Sequence, residues 1–168
     1  MTQIPSDLNN LPWSRRGFLK TGLSAGGMVL AAPSIIKAQT PSDTLNVALI
    51  GVGSQGRVLL DSLLNIEGLN FQAVCDIWDL SRRYGVNRLK KAGFDPPGYE
   101  DIEDLLAAET GLDAVIIATP DFWHAPHTNM CLKAGINVYC EKMMAHTVEA
   151  ARSMVVAQRE SGKLLQIG

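Results

Sequence analysis

The sequence predicts an α/β domain built on a doubly wound parallel sheet. Short runs rich in Val, Leu and Ile alternate with segments of helical pattern, as they do in βαβ units. The clearest strands carry no charge, which is typical of strands buried on both faces of a parallel sheet. A glycine-rich turn follows the first strand, and polar clusters follow two later ones, at the edge where such sheets bind ligands. The expected strand order is 3-2-1-4-5-6.

The individual elements follow from periodicity and from helix start and stop signals. Strands are expected at residues 44–50, 71–75, 114–118, 137–140 and 164–167, helices at residues 57–66, 79–91, 102–108 and 147–161, and a loop at residues 93–98. The first helix is expected to place Val58, Leu59, Ser62 and Leu63 on one side. Thr147 is expected to cap the last helix, because its hydroxyl can accept from a free N–H group.

A glycine-rich turn joins the first strand to the first helix. Gly51, Gly53 and Gly56 form the pattern G-x-G-x-x-G. The first glycine permits a tight turn, the second lets the backbone approach a pyrophosphate, and the third allows close packing of helix on strand. The free N–H groups that start the helix favour phosphate binding. The context predicts a Rossmann dinucleotide site, with cofactor-binding residues Gly51, Val52, Gly53, Ser54, Gln55 and Gly56.

A carboxylate ends the second strand, at the place where a Rossmann domain holds the ribose. Asp76 lies twenty residues beyond Gly56 and is expected to accept hydrogen bonds from ribose hydroxyls. A carboxylate repels a 2′-phosphate, which favours NAD over NADP. Arg82 and Arg83 leave the choice open, since an arginine here either stacks on adenine, reaches a 2′-phosphate or belongs to a solvated helix face. The predicted cofactor is therefore NAD or NADP, with NAD favoured.

Two polar clusters follow later strands, at residues 118–124 and at residues 139–147. The carboxyl ends of parallel strands meet at one edge of the sheet, and ligands bind there. A single His or Lys after a strand is more often a capping or surface residue than a functional one. The clusters therefore indicate a site only when they are taken together.

Three motifs lie in this region, namely T-P-D-x-W-H at residues 119–124, A-G-x-x-V-Y-x-E-K at residues 134–142 and T-x-E-A at residues 147–150. Together they resemble the Gfo/Idh/MocA family of glucose–fructose oxidoreductases and inositol dehydrogenases. The resemblance, over residues 45–168, implies a nicotinamide cofactor and a sugar-like or polyol substrate. It implies a catalytic role for Lys142, which matches the lysine of the family's E-K-P motif. The cofactor-lining residues that it implies are Thr119, Pro120, His124, Glu141 and Lys142.

The chain departs from the family pattern at two points. Met143 stands where the family has proline, so the loop is expected to be less rigid, since proline fixes φ and methionine does not. Family members also continue past the last strand into an α+β substrate domain, whose Asp and His take part in proton transfer. We expect that domain to be absent from this chain, which ends at Gly168.

Three interpretations of function stay open at this point. The first is hydride transfer between NAD(P) and a sugar-like alcohol, by this chain or by a longer protein to which it belongs. The second is a non-catalytic dinucleotide-binding module or partner subunit. The third is a parent enzyme similar to the family's NAD-dependent glycosidases, which oxidise and re-reduce the sugar transiently. An open reading frame past Gly168 would favour an enzyme, and association into a homo-oligomer is a further expectation from the family.

The first 38 residues resemble a twin-arginine export signal. Arg15 and Arg16 lie within S-R-R-G-F-L-K, which a weakly apolar run and the small residue Ala38 follow. The apolar run is shorter than the roughly 20 residues of a membrane-spanning helix. The alternative is a basic surface turn before an ordinary helix. We expect residues 1–38 to direct the protein through the twin-arginine machinery to the periplasm, and residues 39–168 to form the NAD(P)-binding domain.

Composition and cysteine spacing limit the partners. The net charge of −2 and the 46% of hydrophobic residues are typical of a globular domain that binds neither nucleic acid nor an anionic membrane. Without a C-x-x-C pair, neither a zinc site nor a disulfide framework is expected. Cys75 and Cys140 end strands roughly 14 Å apart at ~4.8 Å per strand, too far for a disulfide. Cys131 is expected to be buried in a helix.

Overall fold

Six parallel strands form a single sheet in a computed structural model that describes residues 44–168. The strands are β1 Leu45–Ile50, β2 Leu69–Cys75, β3 Gly98–Tyr99, β4 Ala114–Ile117, β5 Asn137–Cys140 and β6 Leu165–Ile167. The helices are α1 Ser54–Leu63, α2 Asp79–Lys91, α3 Ile102–Ala108, α4 His124–Lys133 and α5 Val148–Ser161, with a 3-10 turn at Asp121–Trp123. The order β3-β2-β1-β4-β5-β6 confirms the predicted Rossmann topology.

The two faces of the sheet bury separate sets of apolar side chains. Successive residues of a strand point to opposite faces, so a strand covered on both sides has no position for a charge. One core joins β1 to α1 and α2, through residues that include Val47, Leu49, Leu60 and Leu89. The other joins β1 to α3, α4 and α5, through residues that include Ala48, Ile50, Leu105, Leu132 and Met154. Helices thus cover both faces, as the charge-free strands predict.

The first helix differs from its prediction. It begins at Ser54 rather than at residue 57, because Gly53 is its N-cap. Its fully buried positions are Gly56 and Leu60, one turn apart, whereas Val58 and Ser62, which were expected on one apolar side, are exposed. The register of the helix is therefore set by the close approach of Gly56 to the preceding turn.

A strand of two residues was not predicted. β3 pairs with Val74 and Cys75 of β2 and begins at Gly98, the last residue of the segment that was expected to be a loop. Two residues are too few to show an alternation of polar and apolar side chains. The predicted cap of α5 is confirmed, since the Thr147 hydroxyl accepts from the Ala150 N–H group at 3.1 Å.

All three cysteines are free and buried. This confirms the prediction that Cys75 and Cys140 are unbridged and that Cys131 is buried in a helix. Burial raises the pKa of the Cys75 and Cys131 thiols to about 12 and that of Cys140 to about 11. The thiols are therefore un-ionised at neutral pH and are poor nucleophiles.

The predicted export signal, with Arg15 and Arg16, lies outside the described residues and stays a prediction. Among residues 44–168, no helix combines the length and the hydropathy that crossing a bilayer requires.

Candidate functional site

A cleft of about 480 Å³ opens beyond the carboxyl ends of β1, β2 and β4. Its walls include Gly51 and Gly53 after β1, Asp76 after β2, and Thr119 and Pro120 after β4. Because β1 pairs with both β2 and β4, the cleft lies where the winding of the sheet reverses, which is the usual ligand position in such sheets. The fold thus brings three separately predicted segments to one place.

The three glycines of residues 51–56, hereafter the glycine turn, meet different surroundings. Gly51 has a φ of +91°, and a Cβ there would lie 2.7 Å from the carbonyl carbon of Ala118. A Cβ at Gly56 would collide with the carbonyl oxygen of Gly51. A Cβ at Gly53, by contrast, would meet no atom within 4 Å. The outer two glycines are required by packing, and the middle one leaves open space above the turn.

Backbone donors at the start of α1 adjoin this open space. The first helical hydrogen bond runs from the Arg57 N–H group to the Gly53 carbonyl at 3.0 Å. The N–H groups of Ser54, Gln55 and Gly56 precede that bond and so have no partner within the helix. These donors and the positive end of the helix dipole favour an anion at this position. The geometry fits the pyrophosphate of a dinucleotide.

Asp76 holds its carboxylate in a fixed orientation on the cleft wall. Its Oδ2 accepts from the Val52 N–H group at 2.7 Å, and its Oδ1 accepts from the Trp78 N–H group at 2.8 Å. A carboxylate oxygen can accept two hydrogen bonds, so each oxygen retains one acceptor position. The carboxylate is therefore oriented before any ligand arrives, as a ribose acceptor requires.

The two arginines of α2 are engaged with acceptors of the chain itself. Arg82 donates to the Asp76 carbonyl at 2.7 Å and forms ion pairs with Asp79 at 3.3 Å and Glu100 at 3.6 Å. Arg83 pairs with the other oxygen of Asp79. A 2′-phosphate at this edge would have to compete with these carboxylates for either guanidinium group.

His124 lies below the cleft rather than in its wall, with only 1% of its surface exposed. Its Nε2 is 2.8 Å from the carbonyl oxygen of Thr119, and its Nδ1 is 2.7 Å from that of Met143. The Thr119 hydroxyl is 3.3 Å from Nδ1 of His127, which follows His124 by about one turn of α4. The imidazole of His124 therefore connects the segment after β4 with the segment after β5.

Glu141 connects the glycine turn with residues 141–147, hereafter the lysine loop. Its side chain is 7% exposed, and Oε1 accepts from the Gln55 side-chain amide at 3.0 Å. Its Oε2 accepts from the backbone N–H group of Lys142 at 3.1 Å. Lys142 itself is exposed at the end of β5, outside the cleft described above, and is followed by a cis peptide bond to Met143. One buried carboxylate thus contacts both segments.

Aromatic side chains that were not predicted complete the cleft. Trp123 stacks on His127, with ring centroids 5.3 Å apart and planes 9° apart, and both residues line the cleft together with Trp78 and Phe122. Burial lowers the pKa of His127, so this ring is neutral at pH 7. The spacing of four residues between Trp123 and His127 was the available signal, because residues so spaced share a helix face.

The chain matches a protein-family model over residues 45–168. The model is GFO_IDH_MocA, described as an oxidoreductase family with an NAD-binding Rossmann fold. The match covers every element of the sheet and all the cofactor-binding positions predicted from the motifs.

Curated proteins and solved structures give the same result. An inositol 2-dehydrogenase of Rubrobacter xylanophilus is 36% identical over 76% of this chain and 35% of its own length. A glycosyl hydrolase family 109 protein of Stenotrophomonas maltophilia is 31% identical over 82% of this chain and 32% of its own. The WlbA dehydrogenase of Chromobacterium violaceum, solved with NADH and UDP-GlcNAcA, superposes with a TM-score of 0.69 at 29% identity, covering 76% and 36% of the two chains. The chain thus spans about a third of the length of these relatives.

Proposed function

The chain belongs to the Gfo/Idh/MocA oxidoreductase family, and we propose that it is the cofactor domain of an enzyme that transfers hydride between NAD and a CH–OH group of a sugar or polyol. The observation that carries the proposal is the fixed carboxylate of Asp76 beside the open space at Gly53. Together they offer a ribose acceptor and a pyrophosphate position at the switch point of the sheet.

The residues of this chain would bind and orient the cofactor, and the nicotinamide would supply the hydride chemistry. The glycine turn and the first N–H groups of α1 would hold the pyrophosphate. Thr119 and Pro120 would line the path from the ribose towards the nicotinamide. His124 and Glu141 would support that lining from below, through the hydrogen bonds already described.

Lys142 is the proposed catalytic residue. Its ammonium makes no ion pair with any of the residues 44–168, and its backbone is tied to Glu141 at 3.1 Å. An ammonium so placed can donate a hydrogen bond to a substrate hydroxyl or move its proton. This role is carried over from the resemblance of residues 141–142 to the family's motif.

NAD is proposed over NADP because the ribose edge of the cleft is acidic. The Asp76 carboxylate would repel a 2′-phosphate, and Arg82 already contacts Asp79 and Glu100. An arginine bound to two carboxylates is less available to a third anion. The family description names NAD and one relative was solved with NADH, whereas another solved relative is described as a putative NADPH-dependent oxidoreductase.

The test is calorimetric titration of the chain with NAD and with NADP, before and after Asp76→Ala. We expect the wild type to prefer NAD, and the variant to bind NAD about 10- to 100-fold more weakly, the effect of hydrogen bonds to a charged group. NADP should be affected less, because the variant also loses a repulsion. A stronger effect on NADP than on NAD would identify NADP as the cofactor.

Turnover is tested with the same preparation. The described residues provide one wall of a hydride-transfer site, and the reaction needs the alcohol carbon held about 3–3.5 Å from the nicotinamide. We therefore expect the 168-residue chain to bind NAD without producing NADH from sugars or inositols. Turnover that Lys142→Ala abolishes would contradict this expectation and would make the chain a complete enzyme.

A second candidate function is transient oxidation during glycoside cleavage. Several relatives of about 30% identity are named glycosyl hydrolase family 109 proteins, which is the observation in its favour. The two reactions differ in their NADH balance, because cleavage by oxidation and re-reduction consumes no net cofactor. An assay of the parent protein that follows cleavage of a nitrophenyl glycoside and NADH absorbance together would therefore separate the two reactions. A parent protein with neither activity would be a binding module.

We also propose that the protein is exported to the periplasm by the twin-arginine route, on the pattern S-R-R-G-F-L-K. That route transports folded proteins, which suits a domain that must load a cytoplasmic cofactor first. Replacing both Arg15 and Arg16 by Lys should leave the protein in the cytoplasm. Unchanged recovery from the periplasmic fraction would refute the assignment.

A further inference from the structure

A buried imidazole bridges the two segments that flank the proposed nicotinamide position. The nitrogens of His124 lie 2.8 Å from the Thr119 carbonyl oxygen and 2.7 Å from the Met143 carbonyl oxygen. The ring is 1% exposed. Solvent therefore has little access to the ring, and the protein itself must satisfy the hydrogen-bonding capacity of both nitrogens.

The chemistry of this bridge depends on how many protons the ring carries. A carbonyl oxygen only accepts, so each contact needs an N–H group on the ring. A neutral imidazole has one N–H group and an imidazolium has two. A neutral His124 therefore holds one of the two segments and turns a bare nitrogen towards the carbonyl oxygen of the other.

A second contact joins the same two segments nearer the surface. Nε2 of His146 in the lysine loop lies 2.9 Å from Oδ1 of Asp121, with 57% and 33% of the two side chains exposed. The edge of its ring also approaches Phe122, at 6.1 Å between centroids. Because this pair is partly solvated, it contributes less than the buried bridge.

We propose that His124 is a positioning residue for Lys142, and that its doubly protonated ring holds the lysine loop against the segment after β4. Loss of the proton on Nδ1, which faces the Met143 carbonyl oxygen, releases that oxygen and keeps the contact with Thr119. The lysine loop, which begins with Glu141 and Lys142, then loses its anchor at Met143. This inference rests on the proposed function only for the consequence at Lys142.

Several charged or titratable groups lie on the elements around the ring. The nearest titratable ring is that of His127, whose pKa is lowered first by burial and, to a smaller extent, by the charge of His124. Asp121 carries a negative charge in the segment after β4. These groups are Glu103 and Asp104 of α3, Asp121 of the 3-10 turn, His127, Cys131 and Lys133 of α4, Glu141, Lys142 and His146 of the lysine loop, and Glu149, Arg152, Arg159 and Glu160 of α5.

The experiment uses the ring-nitrogen NMR signals of the whole chain, labelled with ¹⁵N histidine. The chain has three histidines, so single His→Gln variants at each position assign every signal. His127 serves as an internal comparison, because burial lowers its pKa. Spectra are recorded from about pH 5 to about pH 8, together with the backbone amide signals of Met143 and Met144 and the affinity for NAD.

We expect His124 to carry two protonated nitrogens at acidic pH, and the amide signals of Met143 and Met144 to move as the ring loses a proton. NAD affinity should fall by about three- to tenfold over the same step, the value of one hydrogen bond, and His124→Gln should lack that step. A ring that keeps both protons throughout, with the amides unmoved, also supports the bridge. The His146→Gln variant should still show the fall in NAD affinity that accompanies deprotonation of His124.

A His124 ring that keeps one bare nitrogen at every pH would overturn the proposal. So would deprotonation that leaves the amide signals of Met143 and Met144 in place. The NMR signals are read without cofactor, so failure of the wild type to bind NAD would refute the proposed function and leave the bridge standing. NAD binding together with deprotonation of His124 that leaves the Met143 amide signal in place would refute the bridge alone.

Discussion

The glycine turn and the lysine loop face the same proposed cofactor, but different interactions hold them. The glycine turn is held mainly by close packing of backbone on backbone, with Gly56 on the carbonyl of Gly51, and also by the Asp76 carboxylate at the Val52 N–H group. The lysine loop is held by side chains from elsewhere in the chain. Gln55 reaches Glu141 across 86 positions, and His124 reaches Met143 across 19.

This difference determines how each region responds to a substitution. Where two backbone segments are in close contact, as at Gly56, the glycine turn has no room for an added side-chain atom. Where the backbone faces open space, as at Gly53, it has room for a larger side chain. A loop held by side-chain hydrogen bonds loses one bond at a time, at a cost of about 1 kcal/mol each. The glycine turn should therefore fail abruptly and the lysine loop gradually.

The largest effect is expected for Gly56→Ala. The new Cβ would collide with the carbonyl oxygen of Gly51, so that α1 and the end of β1 must separate. We expect the free energy of unfolding to fall by about 3 kcal/mol, the upper range for overpacking, and NAD binding to be lost. Urea unfolding measures the first and calorimetry the second.

Gly111→Ala is the matched control for this substitution. A Cβ at Gly111 would meet no atom within 4 Å, so stability should change by no more than about 0.5 kcal/mol. Equal unfolding midpoints for the two variants would show that close packing at Gly56 is unimportant, and the contrast between the two regions would be lost.

Gly53→Val separates binding from folding within the same turn. Its Cβ would enter open space, and the backbone φ of −68° is accessible to valine. Stability should stay within about 0.5 kcal/mol of the wild type, while NAD affinity falls by about 100-fold or more, because the side chain occupies the pyrophosphate position.

Gly53→Ala provides the graded comparison, with a smaller loss of affinity expected for the smaller side chain. If Gly53→Val bound NAD as the wild type does, the open space would have no part in cofactor binding. The turn would then be a purely structural connection.

The smallest effect is expected for Gln55→Ala, at the contact that joins the two regions. The variant removes one donor from the buried carboxylate of Glu141 and leaves the bond from the Lys142 N–H group in place. We expect a loss of about 1 kcal/mol of stability, measured by urea unfolding. Ser54→Ala, one residue earlier and also exposed, is the control and should be close to neutral. Equal free energies of unfolding for Gln55→Ala and Ser54→Ala would mean that the Gln55 contact contributes nothing to stability.

Local patterns account for much of the fold and for the first part of the site. Charge-free strands alternating with helices predicted the parallel sheet, and the Rossmann topology predicted its order. The glycine spacing and the carboxylate twenty residues later marked Val52 and Asp76 as site residues, and the structure joins these two by a hydrogen bond of 2.7 Å. These signals are readable because each one reflects a local backbone requirement.

The errors also follow from the range of each interaction. The start of α1 was placed at residue 57, because the N-cap at Gly53 carries no side chain to mark it. The strand β3 was missed, because its two residues are defined by pairing with β2 and not by any pattern of their own. The pairing of β3 depends on partners that are distant in sequence, whereas the start of α1 is local but is marked by no side chain.

The sequence by itself determined the sheet order, the glycine turn and the identity of the family, since these depend on residue type at short spacing. Only the tertiary structure decided how the lysine loop is held. The contacts of Gln55 with Glu141 and of His124 with Thr119 and Met143 form when β1, β4 and β5 align their carboxyl ends. No spacing in the chain encodes those distances, because they arise from the packing of whole strands and helices.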